Sequence, residues 1–181
     1  MLYTSNYCFS KLEMLKYPLR VLNKEAFMIN FLIVLISIIL DQLTKYLAVT
    51  HLKAIPSRTI PLIPGVFHFT YVENTGAAFS IFQDKRLFFI VVTIVAAIII
   101  IYYMITMKSE GRLFQTSLAM ILGGAIGNLI DRVLHGYVVD FFDFRAINFA
   151  IFNVADCFVT VGSIFLFYYI IFIYGKKHNI N

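Results

Sequence analysis

The sequence predicts an all-α polytopic membrane protein: four transmembrane helices and a small β-element outside the bilayer. Three observations carry that prediction. The 181 residues are 60% hydrophobic and only 14% charged, whereas soluble domains run near 45–50% apolar and about 25% charged. Four stretches approach the roughly 20 mostly apolar residues that a bilayer-crossing helix needs. Between the first two stretches, apolar and polar residues alternate with the period of a strand.

Residues 1–27 are mixed polar and apolar and carry Lys11, Lys16, Arg20 and Lys24. They read as an N-terminal leader lying at the cytoplasmic interface, or as a misannotated start ahead of Met28; a cleaved signal peptide fits less well, because the next apolar run is span-length and no A-x-A site follows it. Residues 28–181 form one domain in this reading. The first span runs from about Ile29 to Leu47, apolar to Leu40 and then meeting "DQLTK". The connector after it holds Pro56, Pro61, Pro64 and Gly65, and its "GVFHFTYVEN" sets Phe67, Phe69 and Tyr71 against His68 and Thr70, a signal for one or two short strands. "NTGAAFS" follows as a turn or loop. The second span, Leu87 to Met107, has no charge. The short polar loop Lys108 to Arg112 makes it an antiparallel neighbour of the third, Leu113 to Ile130. The fourth runs from about Asn153 to Tyr174. Their β-branched residues do not argue for strands, because a lone spanning strand leaves its backbone unpaired in lipid and a helix does not.

Composition also excludes. Cys8 and Cys157 form no CxxC, disulfide framework or zinc site. The net charge of +5 suits an anionic membrane surface better than nucleic acid, since no basic run is interleaved with aromatics. With both termini inside, Lys11, Lys16, Arg20, Lys24, Lys108, Arg112, Lys176 and Lys177 face the cytoplasm, and Lys45, Lys53, Arg58, Lys85, Arg86, Arg132 and Arg145 face out. That balance is nearly even, but the inner charges sit on short loops and tails, where they set orientation.

Four spans bring the end of the first helix, the end of the third, the start of the fourth and both polar connectors to one membrane face. Asp41, Lys45, Asn74, Asn128, Asp131, Arg132, Asp140, Asn153 and Asp156 therefore crowd together. An ionisable residue at that depth costs about 2.5–3.5 kcal/mol and marks function by default. Each also has a plain structural reading. Asp131 and Arg132 form a helix-end ion pair; Asp41 and Lys45, at i and i+4, form a surface pair. Asn153 and Asp156 fit an N-cap and its N3 partner. Gly123 and Gly127 form a close-packing GxxxG. His51, His68 and His135 are solvated, and Cys157 fills apolar space.

Two carboxylates facing each other across a water make a peptidase that needs no metal and no covalent intermediate. Neighbouring like charges hold one proton between them, so the ionised acid takes a proton from water and the protonated acid polarises the scissile carbonyl. HExxH and GxSxG are absent from the chain, and no His, Cys and carboxylate group has ligand spacing. The rival is a non-enzymatic membrane carrier with Asp140 and Asp156 as a proton relay, although four spans without inverted repeats make a poor transporter.

In order along the chain, "DQLTK", "ENTGAAFS", "GGAIGNLIDR", "GYVVDFFDF" and "FNVADCFVTVG" resemble the lipoprotein signal peptidases (signal peptidase II) from about Ile29 to Tyr174. The resemblance implies a four-helix aspartic peptidase of the bacterial cell membrane. Its active site lies on the extracytoplasmic face, with a small β-structure and a short amphipathic segment over it. It implies cleavage of diacylglyceryl-modified prolipoproteins before the lipidated cysteine and inhibition by globomycin-type compounds; from the residues themselves no cofactor or metal is expected. Carried over by position, it implies catalytic Asp140 and Asp156, supported by Asp41, Asn74, Asn128, Arg132 and Asn153.

Overall fold

The computed structural model describes residues 24–76 and 85–178. Most of the expected leader and the "AAFS" of the second polar block lie outside the described residues.

Four helices are long and apolar enough to cross a membrane. They are α1 (Lys24–His51), α2 (Arg86–Thr106), α3 (Arg112–Leu134) and α4 (Val154–Tyr168), the last continued by a π-helical stretch, Tyr169–Tyr174. α1 begins before the expected Ile29 and outlasts Leu47, and α3 outlasts Ile130. The added residues are the polar helix ends, which a search for apolar runs stops short of. Lys108–Glu110 makes one tight turn, and Gly111, with φ of +102°, reverses the chain into α3 in a conformation open to glycine.

α3 is the central helix, packed against α1, α2 and α4. Glycine allows the close approach. A Cβ on Gly123 would stand 2.6 Å from Ser37 Cβ of α1, and one on Gly127 would stand 2.5 Å from Asp41 Oδ2. The outer helices turn their apolar side chains outward: α2 buries no residue, and Leu32, Ile36 and Ile39 of α1 are exposed. In water such a surface would drive association; in a bilayer it is the lipid contact of a multi-pass membrane protein.

The β-element has three antiparallel strands in the order β1 (Thr59–Ile63), β2 (Phe67–Asn74) and β3 (Val138–Asp143). The strand expected in "GVFHFTYVEN" is β2; β1 lies just ahead of that stretch, where no strand was expected. β3 comes from "VVDFFD", read in the sequence only as a polar connector. Its Val-Val and Phe-Phe pairs are strand-forming residues, and it places Val72 opposite Asp140 and Asn74 opposite Val138. Ala48 and Leu52 of α1 pack with Tyr71, Val139 and Phe141, fastening the sheet to the end of the bundle. His68 is buried, not solvated, and its Nε2 accepts from the Gly65 backbone N–H at 3.2 Å. No separate amphipathic helix stands among the described residues.

Candidate active site

The sheet edge and three helix ends enclose a cavity of about 590 Å³. Asn74 of β2, Asn128 and Arg132 of α3, Asp140 of β3 and Asp156 of α4 give it polar walls, and Phe149, Phe152 and Val161 contribute apolar ones. Five of the seven expected site residues therefore line one space. The other two, Asp41 and Asn153, lie fully buried behind it.

The carboxamides fix the two lining acids relative to each other. Asn74 Nδ2 donates to Asp140 Oδ2 at 2.8 Å, and Asn153 Nδ2 donates to Asp140 Oδ1 at 2.7 Å. Asn153 Nδ2 also meets Asn128 Oδ1 at 3.1 Å, and Asn128 Nδ2 donates to Asp156 Oδ1 at 2.8 Å. A continuous chain thus runs from Asp140 through Asn153 and Asn128 to Asp156. The N-cap expectation holds as well: Asn153 Oδ1 accepts from Asp156 N at 3.0 Å, and Asp156 Oδ2 accepts from Asn153 N at 3.2 Å, a complete capping box. Capping and site membership coexist, because capping occupies one carboxylate oxygen of Asp156 and Asn128 takes the other.

Burial dominates the electrostatics of Asp140. It pushes the carboxyl up from 3.8 to about 7; the Asp156 charge raises it further, while the Asn74 and Asn153 donors and the Lys45 charge pull it back.

Behind the cavity lies an ion cluster that sequence reasoning misread. Lys45 is 3% exposed. Its Nζ meets Asp41 Oδ2 at 2.8 Å, Asp131 Oδ2 at 3.0 Å and Asn128 Oδ1 at 2.9 Å. Asp41 and Lys45 are thus an interior pair, not the expected surface pair. Asp131 pairs with Lys45, not with Arg132. Adjacent helix residues point about 100° apart, so Asp131 faces α1 while Arg132 shares the cavity face with Asn128, one turn back. Gln42 Nε2 adds a bond to Asp131 Oδ1 at 3.0 Å and to the Gly127 carbonyl at 3.2 Å. The cluster reaches out to both acid-bearing elements: Asp131 Oδ2 accepts from Val139 N at 3.0 Å, and Asp41 Oδ1 from Ala155 N at 2.9 Å. Asp140 and Asp156 are each one residue beyond those anchor points.

Arg132 is held from α2. Its guanidinium lies 4.9 Å from the Phe89 ring centroid and donates to the Gly76 carbonyl at 3.1 Å. Arg86 Nε and Nη2 donate to the carbonyls of Arg132 and Val133 at 2.7 and 2.8 Å, capping the last turn of α3. Neither Arg86 nor Phe89 had a sequence signal, since one reads as a flanking charge and the other as lipid-facing.

The family described as signal peptidase II matches residues 33–172. A lipoprotein signal peptidase of Caldanaerobacter subterraneus subsp. tengcongensis is 56% identical over 140 residues, covering 77% of this chain and 94% of that protein. One of Clostridioides difficile is 46% identical over 152 residues, 83% of this chain and 99% of that protein. Among solved structures, a bacterial membrane enzyme determined by the in meso method superposes with a TM-score of 0.72 at 34% identity, over 84% of this chain and 91% of that one. These likenesses do not favour the carrier reading. Matching over most of its length to a family and to relatives that it covers almost end to end, the chain belongs to signal peptidase II, the membrane-embedded lipoprotein signal peptidases.

Proposed function

We propose that this chain is an aspartic endopeptidase that cleaves diacylglyceryl-modified prolipoproteins just before the lipidated cysteine, with Asp140 and Asp156 as the reacting acids. The observation that carries the reading is the chain of hydrogen bonds from Asp140 through Asn153 and Asn128 to Asp156, which holds both acids on one cavity. We divide the roles by the burial of Asp140 and the hydrogen bonds of Asp156. Asp140, pushed to about 7, keeps its proton and donates it to the scissile carbonyl oxygen. Asp156 accepts a side-chain and a backbone N–H at the positive end of α4, an environment that suits a carboxylate. It takes a proton from water as the water oxygen adds to the carbonyl carbon. On collapse, that proton passes to the leaving nitrogen, the C–N bond breaks, and the carbinol proton returns to Asp140.

The remaining residues support this chemistry. Asn74, Asn128 and Asn153 orient the acids; Asp41 holds the first turn of α4. Arg132 offers a planar fork of donors to the ester or peptide oxygens of the substrate, and the apolar walls take its glyceride chains. We place the cavity on the extracytoplasmic face of the bacterial cell membrane, with Lys108, Arg112 and Lys176 beside the helix ends at the cytoplasmic face. The test is incubation of the purified protein with a diacylglyceryl-modified prolipoprotein and mass analysis of the products. A new amino-terminal lipidated cysteine, blocked by a globomycin-type inhibitor, is expected; cleavage elsewhere or none refutes the reading.

A further inference from the structure

At the end of the bundle away from Asp140 and Asp156, α1 and α2 both pack on α3. The wedge between them is a groove of about 420 Å³. Its walls are apolar, with Phe31 and Val34 of α1, Ile101 of α2 and Leu122 of α3 among them. Two residues break that character. Asn30 lines the groove, is 9% exposed, and makes no side-chain hydrogen bond with the described residues. Lys108, in the turn after α2, also lines the groove and makes no ion pair among the described residues. The nearby acid, Glu110, accepts the Tyr169 hydroxyl from the stretch that continues α4.

No fully buried side-chain polar atom among the described residues lacks a partner, but the Asn30 amide lines the groove, and an amide that meets hydrocarbon without a partner costs free energy unless something supplies one. The second polar group lining this region, Gln115, shows the contrast: its Nε2 donates to the Met107 carbonyl at 3.1 Å. Asn30 has no such outlet and lines the groove. It lies six residues into α1, roughly 9 Å from the helix start at 1.5 Å per residue; at 28 residues α1 outruns a hydrocarbon core about 30 Å thick, so its first turns can reach the ester region. An apolar slot, an amide in the first turns of α1 and a lining cation match the three parts of one molecule.

We propose that this groove is a binding site for an anionic glycerophospholipid. One acyl chain lies between α1 and α2, an ester carbonyl accepts from the Asn30 amide, and the headgroup phosphate pairs with Lys108. The site is separate from the acid pair and independent of its chemistry.

The test uses the full chain in detergent, titrated with phosphatidylglycerol or phosphatidylcholine, and reads bound lipid by native mass spectrometry and melting temperature by thermal unfolding. The wild type should retain one phosphatidylglycerol and melt higher with it. Asn30→Leu should bind it roughly three- to ten-fold more weakly, the worth of one hydrogen bond. In lipid-free detergent, the same variant should melt no lower than the wild type, because no protein contact is lost. Lys108→Ala should keep lipid but lose the preference for phosphatidylglycerol. Equal affinity in wild type and Asn30→Leu, no preference for the anionic lipid in the wild type, or a lower melting temperature of Asn30→Leu without lipid would each overturn the proposal. So would a dimer whose formation excludes lipid, since the groove would then be a contact between copies.

Discussion

Asp140→Asn should abolish cleavage and, above pH 7, stabilise the fold. Asp140 is 2% exposed on β3 and titrates near 7 rather than 3.8. Because its folded value is raised, the folded chain binds this proton more tightly than the unfolded chain does. The group's contribution is therefore most favourable below pH 3.8 and is lost as pH rises to about 7. At about 1.4 kcal/mol per pH unit, the ionised carboxylate costs the fold on the order of 4 kcal/mol above that range. An amide removes this cost but cannot replace both accepted bonds. One of the Asn74 and Asn153 donors, at 2.8 and 2.7 Å, would face an –NH₂ instead of an oxygen, a loss of about 1–3 kcal/mol. The net gain at pH 8 is on the order of 1–3 kcal/mol, or several degrees at roughly 2–4 °C per kcal/mol. At pH 5 the folded acid is protonated but the unfolded one is still largely ionised, so about 1.6 kcal/mol of the cost remains and the gain is roughly cancelled by the loss. Thermal unfolding of both proteins in detergent from pH 5 to 8 reads the difference, which should move in favour of the variant by about 2–3 kcal/mol across the range. A constant offset at all pH values would refute the claim that a buried, proton-holding carboxylate is the source.

Four further outcomes follow from the same geometry. Cleavage should decline as pH rises through about 7, when Asp140 loses its proton; a kcat/KM profile still climbing at pH 9 would contradict this. Lys45→Met leaves Asp41 and Asp131 buried without their cation and should destabilise by about 3–5 kcal/mol, read as a fall in melting temperature of roughly ten degrees. Arg132→Lys keeps the charge but loses the fork, and should raise KM about tenfold with little change in melting temperature; an unchanged KM with a clearly lowered melting temperature would make Arg132 structural. Gly127→Ala would drive a methyl to 2.5 Å from Asp41 Oδ2 and should lower both melting temperature and activity.

The helices were legible because lipid demands long apolar runs, and their number fixed which polar blocks share a face. The sheet was only partly legible. Phe67 to Tyr71 show the period of a half-buried strand, but in β3 five of six residues are buried and no alternation survives, so the strand that carries Asp140 had no periodic signal. The interior of the site was the least legible part. Lys45 and Asp131 are 86 positions apart, and nothing local tells an interior charge from one at the headgroups. The pairing of Asp131 with Arg132 failed for a related reason: sequence adjacency is not spatial adjacency on a helix. Arg86 and Phe89 escaped notice because their roles depend on where α2 stands beside the end of α3.

The most direct measurement is turnover of a diacylglyceryl-modified prolipoprotein by purified wild type, Asp140→Asn and Asp156→Asn, each verified as membrane-inserted and cooperatively folded. The account predicts cleavage before the lipidated cysteine by the wild type and none detectable by either variant, since an amide can neither hold nor take the proton the reaction moves. Near-normal turnover by either variant would contradict the assignment of the acid pair.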